Sequence, residues 1–137
     1  NAIEKQMRAS RESDHELLGL LTGGYIYIMY AQRLSIARSD LIITGLAINA
    51  YADDHGGALP ESLDALVPEY LEAVPADYTS EAASEPLHYA VEGEGFRLWA
   101  LGKNGTNEGG LWDEEERKEG DLVFRGQRAV WDELESD

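Results

Sequence analysis

The residues best suited to chemistry lie in a glycine-rich, acidic stretch in the second half of the chain. Residues 101–110 combine short oxygen-bearing side chains with four glycines, and Asp121 follows after a further acidic run. Hard cations such as Ca²⁺ take about six to eight oxygen ligands from loops of this kind, in which glycines let backbone carbonyls turn inward. The spacing does not match an EF-hand loop. The sequence therefore leaves two interpretations open, a cation site and an ordinary acidic loop.

No other part of the sequence carries a catalytic pattern. Cysteine is absent, and His15, His55 and His88 lie in three different segments without metal-ligand spacing. The chain has neither a Gly-x-Ser-x-Gly elbow nor a phosphate-binding loop. Paired carboxylates are unavoidable with 27 Asp and Glu residues, so they carry no specific acid–base signal. We predict from this that the protein is not an enzyme.

The charge of the chain restricts its partners. With 137 residues it has the length of one domain, and its formal net charge is −16. A chain this acidic repels phosphate backbones and anionic membrane surfaces, so we predict no nucleic-acid partner. The charge is concentrated in residues 60–137, which hold six Lys/Arg and twenty Asp/Glu. Residues 1–59 hold only five Lys/Arg and seven Asp/Glu.

The first part of the chain has helical periodicity. Over residues 33–55, one apolar line runs through Leu34, Ala37, Leu41, Ile48 and Ala52, and a second contains Ile36, Ile43, Ala47 and Ala50. Two lines predict a helix that is packed on more than one side. Upstream, the sequence 13–16 has the form of a capping box and predicts a helix that starts at Asp14.

Residues 17–31 form the most apolar stretch, LLGLLTGGYIYIMYA. Fifteen residues are too few to cross a bilayer, which takes about 20. The paired glycines Gly23-Gly24 predict a kink or a break. We expect a buried helix that packs against the 33–55 helix or mediates self-association through its tyrosines; the alternative is a remnant of a membrane-inserting pilin-type helix.

The second part of the chain changes from helical to strand periodicity near residue 86. Alternating apolar residues predict antiparallel strands at 87–91, 96–101 and 121–125, after a short helix at 61–67 and a loop-like connection from 68 to 86. The predicted fold is therefore α+β, with a long N-terminal helical region packed on a small three-stranded antiparallel sheet. We divide the chain into a helical segment 1–32, an α+β domain 33–125 and an acidic tail 126–137.

Five phrases of the sequence, in order, resemble the major pseudopilins of type II secretion. The family phrases are ALxxYxxDxGxYP, LxALV, GxPYxY, YxLxSLGADG and EGG…DI, and they are matched at 46–60, 61–67, 85–89, 96–105 and 108–122. The resemblance covers residues 33–125. It differs at the N-terminus, where the chain begins Asn-Ala and has no prepilin leader phrase. We therefore expect an excised domain, or a mature protein that follows a removed leader.

The resemblance implies a calcium site between the loop after Leu101 and the start of the third strand. The matching positions are Asn104 and Asp121, with the backbone carbonyl of Leu101 as a further ligand. Asn107, Glu108 and Asp113 can supply additional oxygens. Asn104 replaces an aspartate of the family, and a neutral ligand holds a divalent cation less tightly. The expected site is therefore weak or absent, and Ca²⁺ is the one cofactor considered.

The resemblance also implies a function and a location. We expect a non-catalytic structural or interaction module of the bacterial cell envelope. The alternative is a calcium- or peptide-binding sensing module of a larger extracytoplasmic protein. The expected location is periplasmic or extracytoplasmic, with a membrane tether supplied by regions outside this chain. Protein partners or further copies are expected to bind through the helical region.

Overall fold

The computed structural model describes residues 2–79, 85–102, 105–110 and 120–127. Helix α1, Ala2–Asp54, comes first and is followed by a short 3₁₀ helix, Leu63–Leu66. Three strands complete the order: β1 (His88–Glu92), β2 (Gly95–Ala100) and β3 (Leu122–Gln127). The predicted α+β fold is confirmed, with a long N-terminal helix packed on a three-stranded antiparallel sheet. Residues 128–137, most of the predicted tail, lie outside the described residues.

Helix α1 is longer and more regular than the sequence suggested. It begins at Ala2 rather than at Asp14, and it runs through Gly23-Gly24 without a break. Each glycine costs a helix about 1 kcal/mol relative to alanine, and the many good helix formers on both sides outweigh that cost. Residues 17–31 are therefore part of the same helix as residues 33–54 and not a second helix folded against it.

The burial predicted for residues 17–31 is wrong. Apart from the half-buried Tyr30, their large apolar side chains are exposed, from 37 % for Met29 to 74 % for Leu20 and Tyr27. Internal contacts divide the chain into two compact units, 1–33 and 34–137, and the hydrophobic core lies in the second. Among the described residues, no helix has both the length and the apolar character that a membrane crossing requires.

The last part of α1 packs on the sheet with one side only. Of the first apolar line, Ala37, Leu41, Ile48 and Ala52 are buried, as predicted. The second line is not packed throughout, because Ile36 and Ile43 are exposed. Gly45 allows the helix to approach the sheet closely, since a Cβ at this position would collide with the ring of Phe124.

The sheet has the order β1-β2-β3, with both neighbouring pairs antiparallel. Phe96, Leu98 and Ala100 alternate along β2 and are fully buried against the helix, as the period-2 pattern predicted. In the register, Leu98 pairs with Tyr89 on one side and with Phe124 on the other. The central strand therefore supplies the middle of the core, together with residues of α1 and of the 3₁₀ helix, namely Leu41, Ile48, Leu63 and Leu66.

The end of α1 is fixed by glycine. Gly56 and Gly57 have φ angles of 64° and 87°, which a residue with a Cβ rarely adopts. The N–H of Gly57 donates to the carbonyl of Ala52 at 2.7 Å, the six-to-one bond of a Schellman ending. Of the helix predicted at 61–67, only a single 3₁₀ turn, Leu63–Leu66, is present.

Candidate functional site

The register of the sheet brings two of the predicted site residues together. Ala100, the last residue of β2, pairs with Leu122, the first residue of β3. Leu101 directly follows β2, and Asp121 directly precedes β3. These two residues therefore lie opposite each other at one end of the sheet. Of the loop that follows Leu101, the described residues Glu108 and Gly110 contact Asp121 at the same end. Asn104 and Asp113 lie outside the described residues, so the structure does not place them.

Asp121 holds the described part of this loop with one carboxylate oxygen. Its Oδ2 accepts the backbone N–H of Glu108 at 3.1 Å and that of Gly110 at 2.9 Å. Its other oxygen, Oδ1, is buried and receives no N–H or O–H hydrogen bond from the described residues. The carboxyl group of Glu108 is its acidic neighbour. The site therefore combines two carboxyl groups with one buried oxygen that has spare acceptor capacity.

The protonation of this pair is unusual. The pKa of Asp121 is raised from 3.8 to about 6, chiefly by burial and in addition by the neighbouring Glu108 carboxyl. The N–H groups of Gly110 and Glu108 act in the opposite direction, because they stabilise the carboxylate. A raised pKa means that the folded protein destabilises the charge on Asp121. A proton or a cation relieves that cost.

Asp77 anchors the other side of the site. Its side chain is fully buried, and its Oδ2 accepts the backbone N–H of Leu101 at 2.6 Å. Its Oδ1 accepts the N–H and the hydroxyl of Thr79 at 2.9 and 2.5 Å. Asp77 therefore fixes the backbone of Leu101 directly across from Asp121.

Asn107, an additional ligand in the sequence analysis, links the loop to the sheet. Its Oδ1 accepts the indole N–H of Trp99 at 3.0 Å and the backbone N–H of Gly109 at 2.9 Å. Gly110 follows and lies against Trp99 and Arg97, where a Cβ would be 2.9 Å from either side chain. These contacts hold residues 105–110 against the sheet and present Glu108 beside Asp121.

The sequence analysis missed Asp77. The order Asp77, Tyr78, Thr79 is typical of a turn in which an aspartate binds the backbone two residues on, and this signal could have identified the bonds to Thr79. The bond to Leu101 spans 24 residues, and no local pattern predicts it.

The donor set fits a hard cation in part. Carboxylate and carbonyl oxygens are the ligands that Ca²⁺ prefers, and the buried Oδ1 of Asp121 has a free acceptor position. Within the described ranges, however, no group of three His, Cys, Asp or Glu side chains surrounds a common point. Glu108 and Asp121 would have to hold the ion together with backbone oxygens and water.

The three histidines lie in α1, directly after its end and at the start of β1. His15 is an exposed residue of α1. The ring of His55 stacks on Tyr51 at 3.9 Å, and the ring of His88 stacks on Trp99 at 5.4 Å. His88 Nε2 is 3.7 Å from Glu85 Oε2, and Glu85 is exposed.

A second candidate surface is the apolar part of α1, residues 17–29. Nine of its thirteen residues are large, apolar and exposed, and no charged residue occurs between Glu16 and Arg33. Residues 1–33 contain four Lys/Arg and four Asp/Glu, so this unit is neutral while residues 34–137 carry the whole net charge of −16. Contiguous exposed apolar surface of this kind marks interaction sites.

The protein was compared with models of known families, with curated proteins and with solved structures, and no match was found in any of the three.

Proposed function

We propose that this protein is a non-catalytic structural or interaction module of the bacterial cell envelope, which associates through the apolar surface of residues 17–29. The observation that carries the proposal is the exposure of this surface on a helix that is otherwise polar at its N-terminal end. A helix that is apolar on all sides is normally buried. Association with other apolar helices provides that burial.

The envelope location rests on the resemblance to pseudopilins over residues 33–125. The fold agrees with it, since a long N-terminal helix packs on a three-stranded antiparallel sheet. We place the module in the periplasm or another extracytoplasmic compartment, tethered to the membrane by regions outside this chain. In that setting, residues 17–29 of α1 are the element that meets protein partners or further copies.

Association should depend on the leucines at the start of the apolar surface. We expect the wild-type chain to form concentration-dependent oligomers in sedimentation velocity. Replacing Leu17, Leu18, Leu20 and Leu21 together by glutamine should leave a monomer, because glutamine keeps helix propensity and removes the apolar area. Circular dichroism and the unfolding midpoint should change little, since none of the four side chains is buried.

A matched control replaces Ile3 and Met7, which are exposed on the same helix outside residues 17–29, by glutamine. This control should associate like the wild type. Two results would contradict the proposed interaction. One is a wild-type chain that stays monomeric at a protein concentration of about 100 μM, which is about 100 times a Kd of 1 μM. The other is a leucine variant that associates as strongly as the wild type.

A second candidate function is calcium binding, within a sensing module of a larger extracytoplasmic protein. The buried Oδ1 of Asp121 favours it, because this oxygen has no N–H or O–H donor among the described residues and the Glu108 carboxyl is a close acidic neighbour of Asp121. A bound cation would neutralise the Glu108–Asp121 pair and hold residues 105–110 to the sheet. The same module could bind a peptide, and the calcium site is the part that can be tested directly.

Millimolar Ca²⁺ should raise the thermal unfolding midpoint of the wild-type protein relative to chelator. A ligand that binds only the native state stabilises it by RT ln(1 + [L]/Kd). The rise should be larger at pH 7 than at pH 5. The pKa of Asp121 is about 6, so at pH 5 a proton occupies the site and competes with the cation.

The sign of the pH effect without calcium serves as a check. The folded pKa of about 6 lies above the unfolded value of 3.8, so the folded state binds more protons between these values and stability falls as pH rises through this window. Asp121→Asn should remove both this fall and the calcium effect. Equal midpoints with Ca²⁺ and with chelator at pH 7 would rule out the calcium site.

A further inference from the structure

A groove lies between the segment that follows α1 and the turn that joins β1 to β2. Seven residues line it: Gly57, Leu59, Pro60, Glu61, Val91, Gly93 and Glu94. Its volume is about 360 Å³, within the range of about 300–1,000 Å³ that ligand sites occupy. All seven residues belong to the unit 34–137. We call this site the hairpin groove, and it uses neither residues 17–29 nor the Asp121–Glu108 pair.

The hairpin groove exists because the buried part of the sheet stops before the β1–β2 turn. Across the two strands, Tyr89 pairs with Leu98, and Val91 pairs with Phe96. Leu98 and Phe96 are core residues, so Tyr89 and Val91 lie on the core face of β1. Tyr89 packs against the core, whereas Val91 is 53 % exposed. Val91 therefore extends the apolar face of the sheet beyond the part that is covered.

The walls of the hairpin groove are held together in the folded protein. The hydroxyl of Tyr89 donates to the backbone carbonyl of Pro60 at 2.8 Å, which ties the segment after α1 to β1. Pro60 itself is fully buried. Gly57 and Gly93 have no side chains that would fill the space between the walls. The groove is therefore formed before a ligand arrives, and little ordering has to accompany binding.

The charge around the hairpin groove is negative. Glu61 and Glu94 are exposed, and none of the residues that line the groove in the described part of the chain is a lysine or an arginine. The unit 34–137 carries a net charge of −16, so it attracts basic ligands from a distance and repels acidic ones. Leu59 and Val91 supply apolar surface between these charges. A complementary ligand therefore combines an apolar side chain with positive charge.

We propose that the hairpin groove binds a short, extended, basic segment of a partner protein. An apolar side chain of this segment contacts Leu59 and Val91, and basic side chains on either side of it pair with Glu61 and Glu94. In an extended chain, residues two positions apart point to the same side, so the basic residues lie two positions before and after the apolar one. This binding surface is additional to residues 17–29 and does not depend on self-association.

Three labelled peptides with blocked termini test the groove by fluorescence anisotropy at physiological salt, which screens long-range attraction. Lys-Ser-Leu-Ser-Lys carries both features and should bind saturably to the wild-type protein. Lys-Ser-Ser-Ser-Lys should bind about tenfold more weakly, because it lacks the leucine side chain that gains from burial. Glu-Ser-Leu-Ser-Glu should not bind, because its charges are repelled. Equal binding of the two lysine peptides, or no saturation by the leucine-containing one at millimolar concentration, would overturn the proposal.

Charge-neutral variants locate the bound peptide. Glu61→Gln combined with Glu94→Gln should weaken the binding of Lys-Ser-Leu-Ser-Lys about fivefold, the loss expected for two exposed ion pairs. The matched control, Glu69→Gln with Glu72→Gln, removes the same charge from exposed positions that do not line the groove, and it should stay within about twofold of the wild type. Unfolding midpoints should change little, since all four side chains are exposed. Equal weakening by both pairs would overturn the groove and leave the proposed interaction of residues 17–29 in place.

Discussion

Replacing Ile48 by alanine is expected to lower the free energy of unfolding by about 2–5 kcal/mol, as truncations of buried aliphatic side chains do. Ile48 is fully buried and belongs to the cluster that joins α1 to the central strand. Its loss leaves a cavity between the helix and Phe96 or Leu98, which are in the same cluster. Urea unfolding followed by circular dichroism measures the change.

The matched control for this prediction is Ile43→Ala, five residues earlier on the same helix. Ile43 is 54 % exposed, so its truncation should change the free energy of unfolding by less than about 0.5 kcal/mol. If the two variants were equally destabilised, the one-sided packing of α1 on the sheet would be incorrect.

Asp77→Ala should be almost as damaging, with an expected loss of about 2–4 kcal/mol. The substitution removes the acceptor of three hydrogen bonds and leaves the buried N–H of Leu101 without a partner. It also separates the connection before β1 from the end of β2, because Asp77 joins the two. Thermal and urea unfolding of the variant at pH 7 give the measurement.

Two further variants separate the carboxylate of Asp77 from the general effect of losing an acidic residue. Asp77→Asn keeps the shape and one acceptor oxygen, so it should fall between the wild type and the alanine variant. Asp53→Ala removes an exposed carboxylate from the end of α1 and should be nearly neutral. An Asp77→Ala protein as stable as Asp53→Ala would show that the buried contacts of Asp77 contribute nothing.

Much of the second half of the fold follows from its sequence pattern. Apolar residues alternate along β2, so Phe96, Leu98 and Ala100 had to share one face, and that face is the core. The glycines at 56 and 57 similarly set the end of α1. These features are local. A period of two places alternate residues on one face of any strand, and glycine tolerates a positive φ wherever it occurs.

The first half of the fold shows where pattern reasoning fails. The apolar stretch 17–31 predicted burial, but a sequence shows only which residues are apolar and not whether a partner covers them. The second apolar line of α1 was assigned to the core for the same reason, and Ile36 and Ile43 prove to be exposed. Gly23-Gly24 predicted a kink or a break because glycine has a low helix propensity. Helix formation is cooperative, however, and the helix formers on both sides keep α1 continuous through the two glycines.

The sequence by itself determined that this protein is an acidic α+β chain with a long helix before a small antiparallel sheet, because periodicity, charge and turn residues are properties of neighbouring positions. Only the tertiary structure decided which line of α1 is buried, that Leu101 faces Asp121, and that Asp77 holds Leu101 from 24 residues away. The physical reason is that strand register and buried hydrogen bonds depend on the contacts made when distant segments pack, and no local spacing records those contacts.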